Sequence, residues 1–547
     1  MDNMRMILIA ALGFVGLSLW QAWQDDYTPK PEPVSLEQTQ GIISEGVQVA
    51  PENADDLPVP VNNDQPVVAG LQTVKTETGQ RVIVETDVFK AVIDTHGGDL
   101  RGTILKQYPI DSDKPDVPFV LFNDTNGAFY ASQGGFLSKQ ATANHHSLYQ
   151  TSANKYTMVE GQDSLDVVLS WSEGGIEIEK IFTFHRGEYL VDLTYRVKNN
   201  SEAIWNGRFY EQLHQKHSEG SRKMLPTFTG GAISNPEKRY EKIKFNNMED
   251  DPVSQEGKDG WLAMIQHYFV SALIPESDKN HHYYSKVLDG ERYVIGLYGP
   301  QLSVAAGEIQ EAKVKVFSGP KTQSVLEKIA PGLELTTDYG ILWFIGKPIF
   351  WLLNTIHSLI GNWGWAIILV TVVIKAIFYP LSAMGYKSMA RMRKVTPRMT
   401  AIRERYSKDK TRMNQAMMEL YKEEKINPLG GCFPILVQIP VFLALYWVLL
   451  ESVEMRQAPF MLWIQDLSIK DPLFILPLIM GISMFIQQKL NPPPADPIQA
   501  KVMQFLPIIF TVFFAFFPAG LVLYWVTNNI LSIFQQWSIT KRIEAAK

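Results

Sequence analysis

One cysteine in 547 residues, Cys432, excludes a disulfide framework or a cysteine-based zinc site within one chain. It lies in or beside an apolar run and reads as a small packing residue. The fingerprints of nucleotide and cofactor chemistry are missing as well. No P-loop, dinucleotide-binding glycine pattern, zinc-protease histidine pair or G-x-S-x-G elbow stands in a credible context. The long apolar runs of the second half hold no paired carboxylates and few titratable or nucleophilic groups, so ion-coupled transport and intramembrane proteolysis lack their machinery. The remaining function classes are physical rather than covalent, and no catalytic residue is assigned.

Charge divides the chain in two. Residues 1–341 carry a balance of −16 and residues 342–547 a balance of +10, which gives the net −6. Arg5 followed by the apolar run from Met6 to about Trp23 reads as an N-terminal signal anchor (1–24), because no small-residue cleavage pattern follows it. Residues 25–80, rich in Pro, Gln, Asp and Glu without periodicity, read as an extended, mobile tether. From 81 to 338, short alternating runs such as Ser164 to Trp171 and Ile176 to Phe184, punctuated by Gly-Gly and Asn-Asn turns, predict one antiparallel β-sandwich domain. The pairs His145-His146 and His281-His282 are not assigned as metal ligands, since neighbours on a strand point to opposite faces.

Beyond Asp338 the chain turns apolar in segments of spanning length. Residues 341–360, with Trp343, Lys347, Trp351 and His357 among aliphatics, predict an amphipathic helix lying in the membrane interface. Trp363–Tyr379, Phe433–Leu450, Leu473–Gln487, Val502–Phe517 and Leu521–Ile533 then read as five spans (core 361–540), six with the N-terminal anchor. The segment Leu381–Asn427 carries 12 Lys and Arg against 5 Asp and Glu, which holds it in the cytoplasm. Arg5 and the tail 541–547, opening Lys541-Arg542, agree with that side, so both termini face in and the acidic sandwich faces out.

The polar groups inside these runs carry the functional information. Lys375 is a charge in an apolar span, five residues before Pro380: it either faces a hydrated cavity or snorkels to the interface. Thr371 shares its helix face at i and i+4, as do Tyr524 with Asn528 and Trp525 with Asn529, and Gln438 sits between Pro434 and Pro440. Taken singly, each could serve only in interhelical hydrogen bonding; together with a lysine they fit a hydrated recess. The basic segment predicts a helical hairpin broken at Thr396-Pro397. Its methionines, Met389, Met392, Met413, Met417 and Met418 among them, suit an adaptable capture surface for apolar partners. The alternative is a hairpin whose charges only enforce topology.

The block Asn427-Pro428-Leu429-Gly430-Gly431-Cys432-Phe433-Pro434, then Gln438-Ile439-Pro440-Val441-Phe442, Arg456-Gln457-Ala458-Pro459-Phe460 and the turn Phe517-Pro518-Ala519-Gly520-Leu521-Val522-Leu523-Tyr524, resembles the YidC/Oxa/Alb family of membrane insertases. The anchor and large external domain resemble its Gram-negative form. The resemblance implies a multi-pass α-helical inner-membrane protein with a five-helix core around a hydrophilic groove open to cytoplasm and lipid, and a periplasmic β-super-sandwich related in fold to sugar mutarotases. The family's groove arginine falls on Lys375, which keeps the charge but loses the bidentate fork. Thr371 and Tyr524 match groove positions, and Trp525 stands where tyrosine is common.

The implied function is insertion and chaperoning of nascent membrane proteins, alone or beside the Sec translocon, with the ribosome and membrane lipids as further partners. No cofactor, nucleotide, metal or small-molecule substrate is implied. A small-solute transporter or channel is the competing class, but it requires polar residues through the full bilayer depth and often a repeat. A sugar-processing enzyme on an anchor would leave five further spans without a role.

Overall fold

The computed structural model describes residues 56–58, 79–125, 127–216, 227–406, 409–424, 433–491 and 497–545. The N-terminal anchor, most of the tether, the stretch Asn427 to Cys432 and the last two residues of the tail lie outside the described residues. The chain divides into two compact units: one from Thr28 to Thr337, the other from Asp338 to Lys547 together with Met1–Tyr27.

Alternating burial builds the first unit. Ile176–His185 buries every second residue, and its partner Leu190–Asn199 does the same, so each strand offers one face to the core. The reversal between Ser164–Glu173 and Ile176–His185 is a two-residue loop, Gly174-Gly175, with φ of 59° and 81°; both glycines supply the left-handed backbone that a tight hairpin needs. A ten-stranded and a nine-stranded sheet result. Trp205–Lys216 lies between Tyr130–Leu137 and Arg292–Val304 in the first, and Leu190–Asn199 lies between Ile176–His185 and Ile309–Pro320 in the second. The core between them is apolar and aromatic, with Trp205, Tyr195, Phe136 and Phe209 in mutual ring contact. It also encloses charge: Lys180 is buried and donates to the carbonyls of Gly97, Gly98 and Gly134 at 2.7, 3.3 and 2.8 Å.

Three expectations for this unit need correction. The sheets are not wholly antiparallel, since Arg81–Glu85 pairs in parallel with Lys155–Thr157. The tether is anchored at one point, because Leu57 is buried with Leu137, Tyr210 and Tyr298; an aliphatic side chain in a polar run has found an apolar socket. His145 and His146 stand in a turn rather than on a strand, so the alternating-face argument does not apply to them, whereas His281 and His282 do open a strand, His281–Leu288.

After a short helix α1 (Gln323–Ile329) in the first unit, the second unit is helical: α2 (Trp343–Ile360), α3 (Trp363–Ile377), α4 (Tyr379–Arg405), α5 (Lys410–Glu423), α6 (Phe433–Glu451), α7 (Ile475–Leu490), α8 (Pro497–Phe514) and α9 (Ala519–Ala545). Helix α2 buries Ile349, Phe350 and Leu353 on one side and exposes the apolar Trp343, Phe344, Trp351 and Leu359 on the other. Asn362 caps α3, accepting the Trp365 N–H. Among the described residues no single helix is long and apolar enough to cross a membrane alone; α3 and α4 qualify only as a pair, bent by 69°.

The hairpin differs from its expected form. Helix α4 runs through Pro397 to Arg405, and α5 begins at Lys410, capped by Asp409, which accepts the Thr411 and Arg412 N–H groups. Pro397 and Arg393 lie on the exposed side, so water can meet the carbonyl that proline leaves without a donor.

Candidate functional site

Each core helix is apolar toward one end and polar toward the other. Along α9, Leu521, Val522 and Leu523 are buried among apolar neighbours, while Asn528, Asn529, Ser532, Gln535 and Gln536 follow over the next turns. Helix α6 repeats this in reverse, with Gln438 near its start and buried Ala444, Leu445, Val448 and Leu449 beyond. Lys375 lies in the last turn of α3, after buried Ala366, Ile367 and Val370. The polar ends of α3 and α6 are those nearest in sequence to the basic hairpin.

They converge on a cavity of about 400 Å³, lined among others by Ser382 and Met389 of α4, Gln438 of α6, Gln487 of α7, and Tyr524, Trp525, Asn528 and Ser532 of α9. Lys375, only 8% exposed, donates to Ser532 Oγ at 2.8 Å and Gln438 Oε1 at 3.4 Å, two groups of the cavity wall. Gln438 Nε2 in turn donates to Asn528 Oδ1 at 2.7 Å, and Ser532 Oγ donates to the Asn528 carbonyl at 2.7 Å. Among the described residues the buried ammonium thus meets neutral oxygens and no carboxylate, so its charge is solvated but not cancelled. The Trp525 indole N–H is buried without a hydrogen-bond partner.

The opposite end is closed. The loop between α6 and α7 packs Ala458, Ile464 and Leu467 into the apolar core, Asn362 Nδ2 donates to the Phe460 carbonyl at 2.9 Å, and the Ala519 and Gly520 N–H groups bond to Ile469 and Leu467. Gly364 lies so near Phe460 that an added Cβ would stand 2.0 Å from its ring. The recess therefore ends at an apolar floor.

Of the residues predicted from sequence, Lys375, Gln438, Tyr524, Trp525 and Asn528 come together here. Thr371 does not join them: its hydroxyl donates to Ile367 O at 2.7 Å on its own helix, and the side chain is buried. The methionines part company. Met389 lines the cavity, Met392 and Met417 pack against Val395, Met399 and Leu420 in the hairpin's own small core, Met413 is half-buried, and Met418 is exposed. Sequence reasoning missed Ser532, Ser382 and Gln487; Ser532 was within reach, since it follows Asn528 by four positions and precedes Gln536 by four.

Comparison with known proteins is consistent along the whole chain. The YidC periplasmic domain family matches residues 81–352, and the 60Kd inner membrane protein family matches residues 355–546. The membrane protein insertase YidC of Methylococcus capsulatus is 51% identical over 549 residues, covering 100% of this chain and 99% of that protein. The membrane protein insertase YidC of Stutzerimonas stutzeri is 48% identical over 555 residues, with the same coverage. Among solved structures, an active YidC insertase with its first transmembrane domain resolved aligns over 86% of this chain and 94% of its own, at 20% identity and a TM-score of 0.37.

Proposed function

The chain belongs to the YidC membrane insertase family, and from that premise we propose that the recess beside Lys375 holds the polar tail of a client while its apolar segment passes into lipid. It is an inner-membrane insertase with a periplasmic domain, not an enzyme. The observation that carries the finer reading is the cavity of about 400 Å³ whose wall includes both residues bonded to the Lys375 ammonium.

The mechanism is physical. A client arrives at the basic hairpin formed by α4 and α5. Its tail enters the recess, where hydroxyls, amides and the uncancelled charge replace part of its hydration and reduce the desolvation cost of moving polar groups partway across. Transfer of roughly 20 apolar residues into lipid supplies the driving free energy, so no nucleotide is needed. In this arrangement α3, α6, α7, α8 and α9 with the N-terminal anchor make six spans, both termini and the hairpin face the cytoplasm, and the sandwich faces the periplasm. The excess of Lys and Arg in the hairpin supports that orientation. The Sec translocon, the ribosome and membrane lipids are the partners such a cycle would engage. A transport path for solutes is disfavoured by the floor, where Ala366, Ile367, Val370, Ala444, Leu445 and Val448 pack together in one apolar cluster.

The test is reconstitution. Purified chain in liposomes should insert a short single-span protein, scored by protease protection, without nucleotide and without other proteins. No protection above protein-free liposomes would overturn the proposal.

A further inference from the structure

In the sandwich unit, far along the sequence from the groove, lies a second constellation. Asp56, His145 and His146 each present one ligand atom, and these atoms lie within 4.8 Å of one another. The Asp56 carboxylate sits between the two rings: Oδ2 is 3.1 Å from His145 Nε2, and Oδ1 is 2.9 Å from His146 Nε2. The turn that presents both rings is set by Asn144, whose side-chain oxygen accepts the His146 N–H at 2.9 Å.

Two details make this cluster a candidate ligand set. Asp56 Oδ2 and His145 Nε2 are fully buried and face one another at 3.1 Å, and among the described residues neither is shared with a third side chain. On its other side, His145 Nδ1 lies 2.5 Å from the Tyr210 hydroxyl. When Nδ1–H donates to Tyr210, the Nε2 lone pair is turned toward Asp56. That is the usual arrangement of a metal-bound histidine, with one nitrogen on the metal and the other held by an outer hydrogen bond.

We propose that Asp56, His145 and His146 form a binding site for a borderline divalent metal ion of the Zn²⁺ class. Two imidazoles and one carboxylate suit zinc and its first-row neighbours and not calcium or magnesium, which take oxygen ligands. Metal bonds of about 2.0–2.1 Å in tetrahedral geometry set ligand atoms roughly 3.3 Å apart; the 3.1 and 2.9 Å contacts of Asp56 with the two rings are near that spacing, and all three ligand atoms already lie within 4.8 Å of one another. The His146 side chain is 18% exposed, which leaves a route of entry and room for water as a fourth ligand. Because Asp56 and His146 are 90 positions apart, the ion would clip the tether to the sandwich beside buried Leu57.

The test uses the full chain, purified without a histidine tag, stripped with chelator and titrated with Co²⁺ and then Zn²⁺. One equivalent of Co²⁺ should bind with the visible absorption of a four- or five-coordinate site, and Zn²⁺ should displace it. His146→Ala and Asp56→Asn should each weaken binding by at least about 100-fold, and Tyr210→Phe, which removes the outer hydrogen bond together with the acceptor of the His145 backbone N–H, by about 10-fold. His282→Ala should change nothing. His146 is half-buried at a turn, so its variant keeps the fold if His145 variants do not. Wild-type binding no tighter than that of His146→Ala, or one equivalent retained when all three residues are replaced, would overturn the site.

Discussion

Replacing Lys375 with methionine keeps most of the stem volume and removes only the charge. The structure sets the size of the effect. A client carboxylate entering the cavity can approach the ammonium to about 4 Å, where the attraction is ~1 kcal/mol in a water-like medium and ~4 kcal/mol at the effective dielectric of a partly buried site. A wet recess lies between, near 2 kcal/mol, and so about 30-fold in rate. The fold should survive, because the two acceptors keep other bonds: Ser532 Oγ still donates to Asn528 O, and Gln438 Nε2 still donates to Asn528 Oδ1. The assay compares insertion into liposomes of two clients that differ by one Asp or Asn in the translocated tail. Lys375→Met should lower the acid-to-neutral rate ratio by about 30-fold, and Lys375→Arg should leave it within a few-fold of wild type. Equal loss for both tails would refute an electrostatic role and reduce Lys375 to a snorkelling residue that ties α3 to α6 and α9.

Other consequences are open to the same kind of check. Deleting residues 81–320 should leave insertion measurable, whereas Leu353→Asp in α2, at a fully buried position of the helical core, should abolish it; a deletion that accumulates normally but inserts nothing would contradict this. In the hairpin, Met418→Ser with Met413→Ser should lower crosslinking to ribosome-bound clients without changing topology, while Met392→Ser with Met417→Ser should loosen the hairpin itself, seen as faster protease cleavage. His214 is buried, its Nδ1 bonded to Gln133 Oε1 at 3.0 Å, and burial together with the nearby Arg292 pushes its pKa down to about 3. The unfolded chain therefore takes up a proton at His214 that the folded chain refuses, and stability falls as pH drops from about 6.5 toward 3. By linkage His214→Gln should remove about 2 kcal/mol of that loss at pH 5, read from denaturant melts of the two proteins at pH 7 and pH 5. Parallel pH dependence in both would contradict it.

The elements legible in the sequence were those with a strong period. Ile176–His185 alternates because one face of the sheet is buried, and each of the five apolar runs beyond Trp363 contains a helix. The groove was legible where polar residues recur at helical spacing against an apolar background, as Asn528 follows Tyr524. What failed depended on tertiary neighbours. Nothing local says that α4 tolerates Pro397, since that rests on which side of the helix faces solvent. Leu57 looked like any tether residue because its socket is built from Leu137, Tyr210 and Tyr298, more than 75 positions away. His145 and His146 were misread through the same gap: a strand was assumed where Asn144 closes a turn.

The most direct test of the central claim is to place a photo-crosslinking residue at single positions of α9 in membranes that hold a stalled client. Asn528 lines the recess, and Phe534, two turns on, is 67% exposed on the outer surface of the helical unit. A crosslinker at Asn528 should capture the polar tail of the client and one at Phe534 should not. Capture of the tail at Phe534 with none at Asn528 would contradict the account.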